Sequence, residues 1–82
     1  MTIINKTPFT IKVLGRDVDP VEIKPNTSFD IFSRMFDVIS IHSNVGSCII
    51  TVAYGERKYE HFGYLSIEEE GKQKIYVSEL MI

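Results

Sequence analysis

The side chains best able to do chemistry are His42, Cys48, His61 and the triplet Glu68-Glu69-Glu70. A structural zinc site needs four ligands, commonly brought in by a Cys-x-x-Cys or His-x-x-x-His clip. No two of these residues stand at such a spacing, so no metal site is expected. Cys48 with His42 or His61 would be a nucleophile–base pair in principle. A catalytic cysteine, however, sits in an electropositive, partly exposed surrounding. Cys48 lies between Ser47 and Ile49 and opens an apolar run, where a free cysteine behaves as a small core residue. The three glutamates run into Gly71 and Lys72. They read as a solvated hairpin turn, because a turn offers no burial to push two carboxyl pKa values apart. The glycines at 15, 46, 55, 63 and 71 make no phosphate-cradling loop. The chain is expected to be no enzyme and to carry no cofactor.

Aromatic and cationic residues give the remaining chemistry. Arg57 and Lys58 stand beside Tyr54, Tyr59, Phe62 and Tyr64. Exposed aromatics flanked by cations on a sheet can stack bases, as small single-strand-binding domains do. Phosphate contacts depend on a positive field. Nine Lys+Arg against eleven Asp+Glu give a net charge of −2, so a nucleic-acid partner is disfavoured. A binder of single-stranded nucleic acid or of a small nucleotide, using Tyr59, Arg57 and Lys58, stays as the alternative, since a small nucleotide needs no basic domain. Aromatic and Arg residues on a rigid sheet are also the usual anchors of protein interfaces. Ile49, Phe62 and Tyr64 form the candidate patch, with Arg57 at its rim, and Arg34-Met35-Phe36 is a second candidate. The plainer reading places these aromatics in a core covered by residues 28–37.

The elements that must position these residues are short. Eighty-two residues make one domain, 1–82, and 44% hydrophobic content favours folding over disorder. With a single cysteine no internal disulfide can form, so the fold rests on its core. No apolar run approaches the ~20 residues that span a bilayer, and no membrane partner is expected. The N-terminal residues lack the basic and long apolar segments of a secretory signal, so a complete, cytoplasmic chain is expected.

Turn signals recur at Thr7-Pro8, Gly15-Arg16-Asp17, Asp19-Pro20, Pro25-Asn26, Asn44-Val45-Gly46-Ser47, Gly55-Glu56 and Glu70-Gly71. Between them lie short runs of Ile, Val, Phe, Thr and Tyr, the rhythm of an antiparallel β protein. Strands are expected at 9–13, 21–23, 38–42, 48–54, 58–67 and 74–80. Residues 28–37 read two ways. As a helix, Ser28 caps it and Phe29, Phe32 and Phe36 share a face. As a strand, Phe29 and Ile31 alternate with Ser28 and Asp30. A strand over 28–32 followed by an irregular or one-turn helical segment is preferred.

Hydrophobic pattern also sets a register for the central hairpin. A turn around Gly55-Glu56-Arg57 with Tyr54 opposite Lys58 would set Val52 against Glu60. Placing Tyr54 opposite Tyr59, Val52 opposite His61 and Cys48 opposite Leu65 gives an almost wholly apolar inner face. The other face then carries Ile49, Thr51, Ala53, Glu60, Phe62 and Tyr64, too apolar for a plain solvent face. Gly63 is a candidate bulge.

The expected fold is therefore all-β. It is a small antiparallel sandwich or partly open barrel of six to seven strands, immunoglobulin-like as a first guess, with at most one short helix within 28–37. An α+β sheet with one covering helix is the alternative. The expected role is a non-enzymatic protein-binding module anchored by Phe62 and Tyr64. Self-association, for which the apolar tail Glu79-Leu80-Met81-Ile82 could add to a sheet edge, is left open. In general character the chain resembles the small acidic proteins of phages and mobile elements, in which such a module would be an inhibitor or adaptor. Its twelve isoleucines fit an AT-rich coding sequence.

Overall fold

The computed structural model describes residues 1–15, 19–32 and 34–80. Arg16 and Asp17 of the expected turn after Gly15, and the end of the tail, Met81-Ile82, lie outside the described residues.

Nine strands form two sheets, and among the described residues there is no helix. They are β1 (Thr2–Asn5), β2 (Ile11–Leu14), β3 (Val21–Ile23), β4 (Ser28–Asp30), β5 (Phe36–His42), β6 (Gly46–Ala53), β7 (Glu56–Gly63), β8 (Leu65–Glu70) and β9 (Lys74–Glu79). One sheet has the order β4-β1-β9-β8, the other β3-β2-β5-β6-β7. All pairings are antiparallel except β1 with β9, which run parallel. None of the described residues forms a helix long and apolar enough to cross a membrane.

The all-β expectation holds, with more strands than the six to seven expected for two local reasons and with one expected strand shortened. The segment at 28–37 gives only the three-residue β4, with no strand or helix at Ile31, Phe32, Arg34 and Met35 before β5 begins at Phe36. The run at 58–67 divides at Gly63, whose φ of 77° turns the chain out of the five-stranded sheet and into the four-stranded one. β1 went unexpected because its inward residues are Ile3 and Asn5, so polarity does not alternate with burial.

Core residues follow the two-residue period of the strands. Ile3, Leu65, Ile75 and Val77 from the smaller sheet meet Ile11, Val13, Ile23, Ile39, Ile41, Cys48, Ile50 and Val52 from the larger. Asn5 is the polar exception, and it is fully satisfied. Its Nδ2 donates to the carbonyls of Phe9 (2.7 Å) and Ile23 (2.9 Å). Its Oδ1 accepts from the Thr7 N–H (2.9 Å) and the Thr7 hydroxyl (2.7 Å). It thereby fixes the exit of β1 to the ends of the larger sheet.

The β6–β7 hairpin keeps the expected faces but not the expected register. Ala53 pairs with Glu56, Ile50 with Tyr59 and Cys48 with His61. The turn is two residues, Tyr54 and Gly55, both at positive φ (49° and 82°). That is the signature of a type I′ turn, whose twist matches the flanking strands. Left-handed backbone is unfavourable for a tyrosine. Tyr54 is held there by an edge-on ring contact with Phe36, centroids 4.5 Å apart, and by its N–H donating to the Met35 carbonyl (2.9 Å). Moving the turn earlier by this much shifts the pairing without changing which residues face inward, since the sum of paired positions stays odd.

Candidate functional site

The single-layer face of the five-stranded sheet is the most unusual surface of the molecule. The smaller sheet covers one side, where Ile39, Ile41, Cys48, Ile50 and Val52 are buried. No described element covers the other. Along β5, β6 and β7 that open face presents Phe36, Val38, Ser40 and His42, then Ser47, Ile49, Thr51 and Ala53, then Glu56, Lys58, Glu60 and Phe62.

Registers place the apolar members of this set on one diagonal. Val38 pairs with Thr51 and Ser40 with Ile49, so Val38 and Ile49 are diagonal neighbours. Ile49 pairs with Glu60 and Ser47 with Phe62, so Ile49 and Phe62 are diagonal neighbours too. Such neighbours lie within reach of large side chains. The stripe Phe36–Val38–Ile49–Phe62 thus crosses three strands. Phe36, Val38 and Phe62 are 49%, 46% and 48% exposed, and Ile49 is half-buried between them. Lys58 and Glu60 flank it on β7.

Of the residues singled out from the sequence, the fold brings Ile49, Lys58 and Phe62 together on this face. Tyr64 sits at the junction of β7 and β8, 52% exposed, its N–H bonded to the Val45 carbonyl (2.9 Å). Arg57 and Tyr59 point to the opposite side of β7, as alternation requires. There the Tyr59 hydroxyl donates to the Glu69 carboxylate, and the Arg57 guanidinium donates to the Lys72 carbonyl. The grouping of Tyr59, Arg57 and Lys58 around a nucleotide is therefore split across two faces. Two of its three members are engaged in bridging the sheets. Phe36 and Val38 join the patch as residues that sequence reasoning underused. The signal was available: with Ile39 and Ile41 facing inward, Phe36 and Val38 must face out.

Burial pushes the Tyr59 phenol up to about 12; the Glu69 bond adds to the rise and Arg57 opposes it. Tyr76 donates to Glu70 Oε2 (2.7 Å), and that bond raises its pKa. The glutamate cluster is thus exposed at the end of β8, two of its members accepting from tyrosines on neighbouring strands. Cys48 lies directly opposite His61, but it is fully buried and its thiol is pushed up to about 11 by that burial. A thiol so placed is protonated at neutral pH and behaves as packing. His42 faces the open side, away from Cys48. Among the described residues no group of His, Cys, Asp and Glu is arranged to hold a metal ion.

A pocket of about 220 Å³ opens between the sheets, lined by Val13, Val21, Phe29, Ile31 and Ile39 with Asp37 at its side. It is smaller than the ~300–1,000 Å³ of typical ligand sites. A larger hollow of about 440 Å³ by Arg34, Met35, Val52, Tyr54, Gly55 and Arg57 is shallow and open to solvent, which leaves the open face as the stronger candidate. The chain matches no protein-family model, and no curated protein or solved structure shows significant similarity to it.

Proposed function

We propose that this chain is a non-enzymatic protein-binding module that docks on a partner protein through the open face of its five-stranded sheet. The observation that supports this reading is the exposed diagonal Phe36–Val38–Ile49–Phe62. An apolar strip with charged residues at its border matches the core-and-rim arrangement of protein interfaces. Phe36 and Phe62 are the anchors, Val38 and Ile49 the floor between them, and Lys58 and Glu60 the polar rim. Tyr64 extends the surface past the end of β7. A partner surface that is apolar at its centre and charged at its edge would fit. The role this implies is an inhibitor or adaptor that acts by covering a surface, as small phage and mobile-element proteins do.

The test is a pull-down from the native host with the wild-type chain and with Phe62→Ala/Tyr64→Ala and Val38→Ser/Phe62→Ser variants. Exposed substitutions usually alter stability by about 0.5 kcal/mol or less, so melting temperatures should stay within a few degrees. A protein retained by the wild type and lost by both variants supports the reading. Retention undiminished in both variants, or unfolding of both, overturns it.

A further inference from the structure

Strand β7 ends the five-stranded sheet, and the direction of its free backbone groups follows from the ladder. The Tyr54 N–H donates to the Met35 carbonyl (2.9 Å), so the even-numbered residues of β6 bond to β5. The odd-numbered residues of β6 therefore bond to Glu56, Lys58, Glu60 and Phe62 of β7. The Tyr64 N–H to Val45 carbonyl bond (2.9 Å) continues the same alternation. The N–H and C=O groups of Arg57, Tyr59 and His61 are left pointing away from the sheet. None of the backbone bonds found among the described residues uses them.

An open edge of this kind is a template for another strand. We propose that its occupant is a second copy of this chain, with β7 pairing antiparallel to β7 of the partner about a two-fold axis through Tyr59. In that register Tyr59 lies opposite its own copy, and Arg57 and His61 lie opposite each other on both sides of the axis. All the outward backbone groups of these three residues are then paired. The open face decides the register. Lys58 falls opposite Glu60 of the partner, and Glu60 opposite Lys58, so two opposite-charge pairs form. Sliding the pairing to centre on Lys58 opposes two lysines and sets Glu56 against Glu60. Centring it on Glu60 opposes two glutamates.

The other edges do not offer this. β3 and β4 have three residues each. β8 offers no charge pairing: an antiparallel copy centred on Ile67 sets Leu65 against Glu69 and Ser66 against Glu68, and one centred on Glu69 opposes glutamates. β7 has eight residues, no proline and an unbroken register with β6. Charges on an edge strand ordinarily deter indiscriminate pairing. Here their alternating sign makes the edge selective for its own antiparallel copy. The contact is isologous, so it closes as a dimer and does not propagate. Its product is one ten-stranded sheet carrying two copies of the apolar diagonal. It rests on the edge alone and holds whether or not that diagonal binds a partner.

Light scattering on sized protein and sedimentation equilibrium test the proposal. The wild type should be a dimer that dissociates on dilution. Lys58→Glu and Glu60→Lys should each weaken dimerisation by about tenfold or more, since two attractive pairs become repulsive. Mixing the two variants one to one should restore the dimer, because each then supplies the charge the other lacks. His61→Pro should be monomeric with its melting temperature nearly unchanged, because the N–H it removes points away from β6. A monomeric wild type, single variants that dimerise like it, or a mixture that stays monomeric would each overturn the proposal.

Discussion

Tyr59 on β7 donates its hydroxyl proton to Glu69 on β8, and so joins the edges of the two sheets where the chain has crossed from one to the other. The crossing at Gly63 brings β8 beneath β7, and this bond with the Arg57–Lys72 bond closes that side. The pair is a structural latch, and its behaviour with pH follows from the position of the proton.

The latch should weaken in alkali. The folded chain holds the Tyr59 proton up to about pH 12, against an ordinary value of 10.0. Because the folded pKa is the higher, the latch contributes fully below pH 10 and is lost as pH rises toward 12. Urea unfolding midpoints should fall across this window, and by less in Tyr59→Phe. The comparison isolates Tyr59 from every group that the two proteins share. Equal falls in the two would show that the latch contributes nothing.

Asn5 should be among the least replaceable polar residues. Asn5→Ala removes the donors to two carbonyls and the acceptor for Thr7, within a fully buried site. An orphaned buried group costs about 1–3 kcal/mol, so a loss of about 3 kcal/mol is expected. Thr7→Val, which removes one hydroxyl, should cost less. Chemical denaturation gives both values, and an Asn5→Ala cost under about 1 kcal/mol would mean that water replaces the amide.

What was legible in the sequence was the part controlled by side-chain alternation. Ile11/Val13, Ile39/Ile41 and Cys48/Ile50/Val52 all face inward as their spacing requires. What was not legible depends on backbone geometry and on distant partners. Tyr54 carries the left-handed turn that a sequence reader would assign to Gly55 and its successor, because a ring contact with Phe36 holds it there. β1 is hidden because its inward Asn5 is satisfied by residues as distant as Ile23. At the candidate site, Phe62 and Ile49 were recognisable from their hairpin. Their continuation through Val38 needed the β5–β6 register. Arg57 and Tyr59 were separated from Lys58 by alternation, once the chain's return at Gly63 gave them Lys72 and Glu69.

Cys48 should be inert until the protein opens. Its burial and raised pKa, about 11, leave almost no thiolate at pH 8. Reaction with a disulfide reagent should therefore follow the global unfolding rate and speed up as urea is added. Cys48→Val conserves shape and should cost less than about 1.5 kcal/mol. Cys48→Ser puts a hydroxyl in an apolar site and should cost more, about 1–3 kcal/mol. Rapid modification of the folded protein would show that the β6–β7 edge opens locally.

Gly46 and Gly63 face each other at the end of β6–β7, and the fold allows no side chain at the first of them. A Cβ on Gly46 would lie 2.3 Å from the Phe62 carbonyl oxygen and 2.9 Å from the Tyr64 nitrogen. Both are backbone atoms, so no rotamer change relieves the contact, and the hairpin must part where the chain changes sheets. Gly46→Ala should cost at least about 2 kcal/mol. At roughly 4–8 °C per kcal/mol for a chain of this size, the melting temperature should fall by about 10 °C or more. Gly55→Ala is the internal control. It meets nothing within 4 Å and bears only the strain of φ 82°, about 1 kcal/mol. If Gly46→Ala is the milder of the two, the strands are not in close contact there. The sheet crossing at Gly63 would then have to be fixed by Leu65 and the β8–β9 pairing instead.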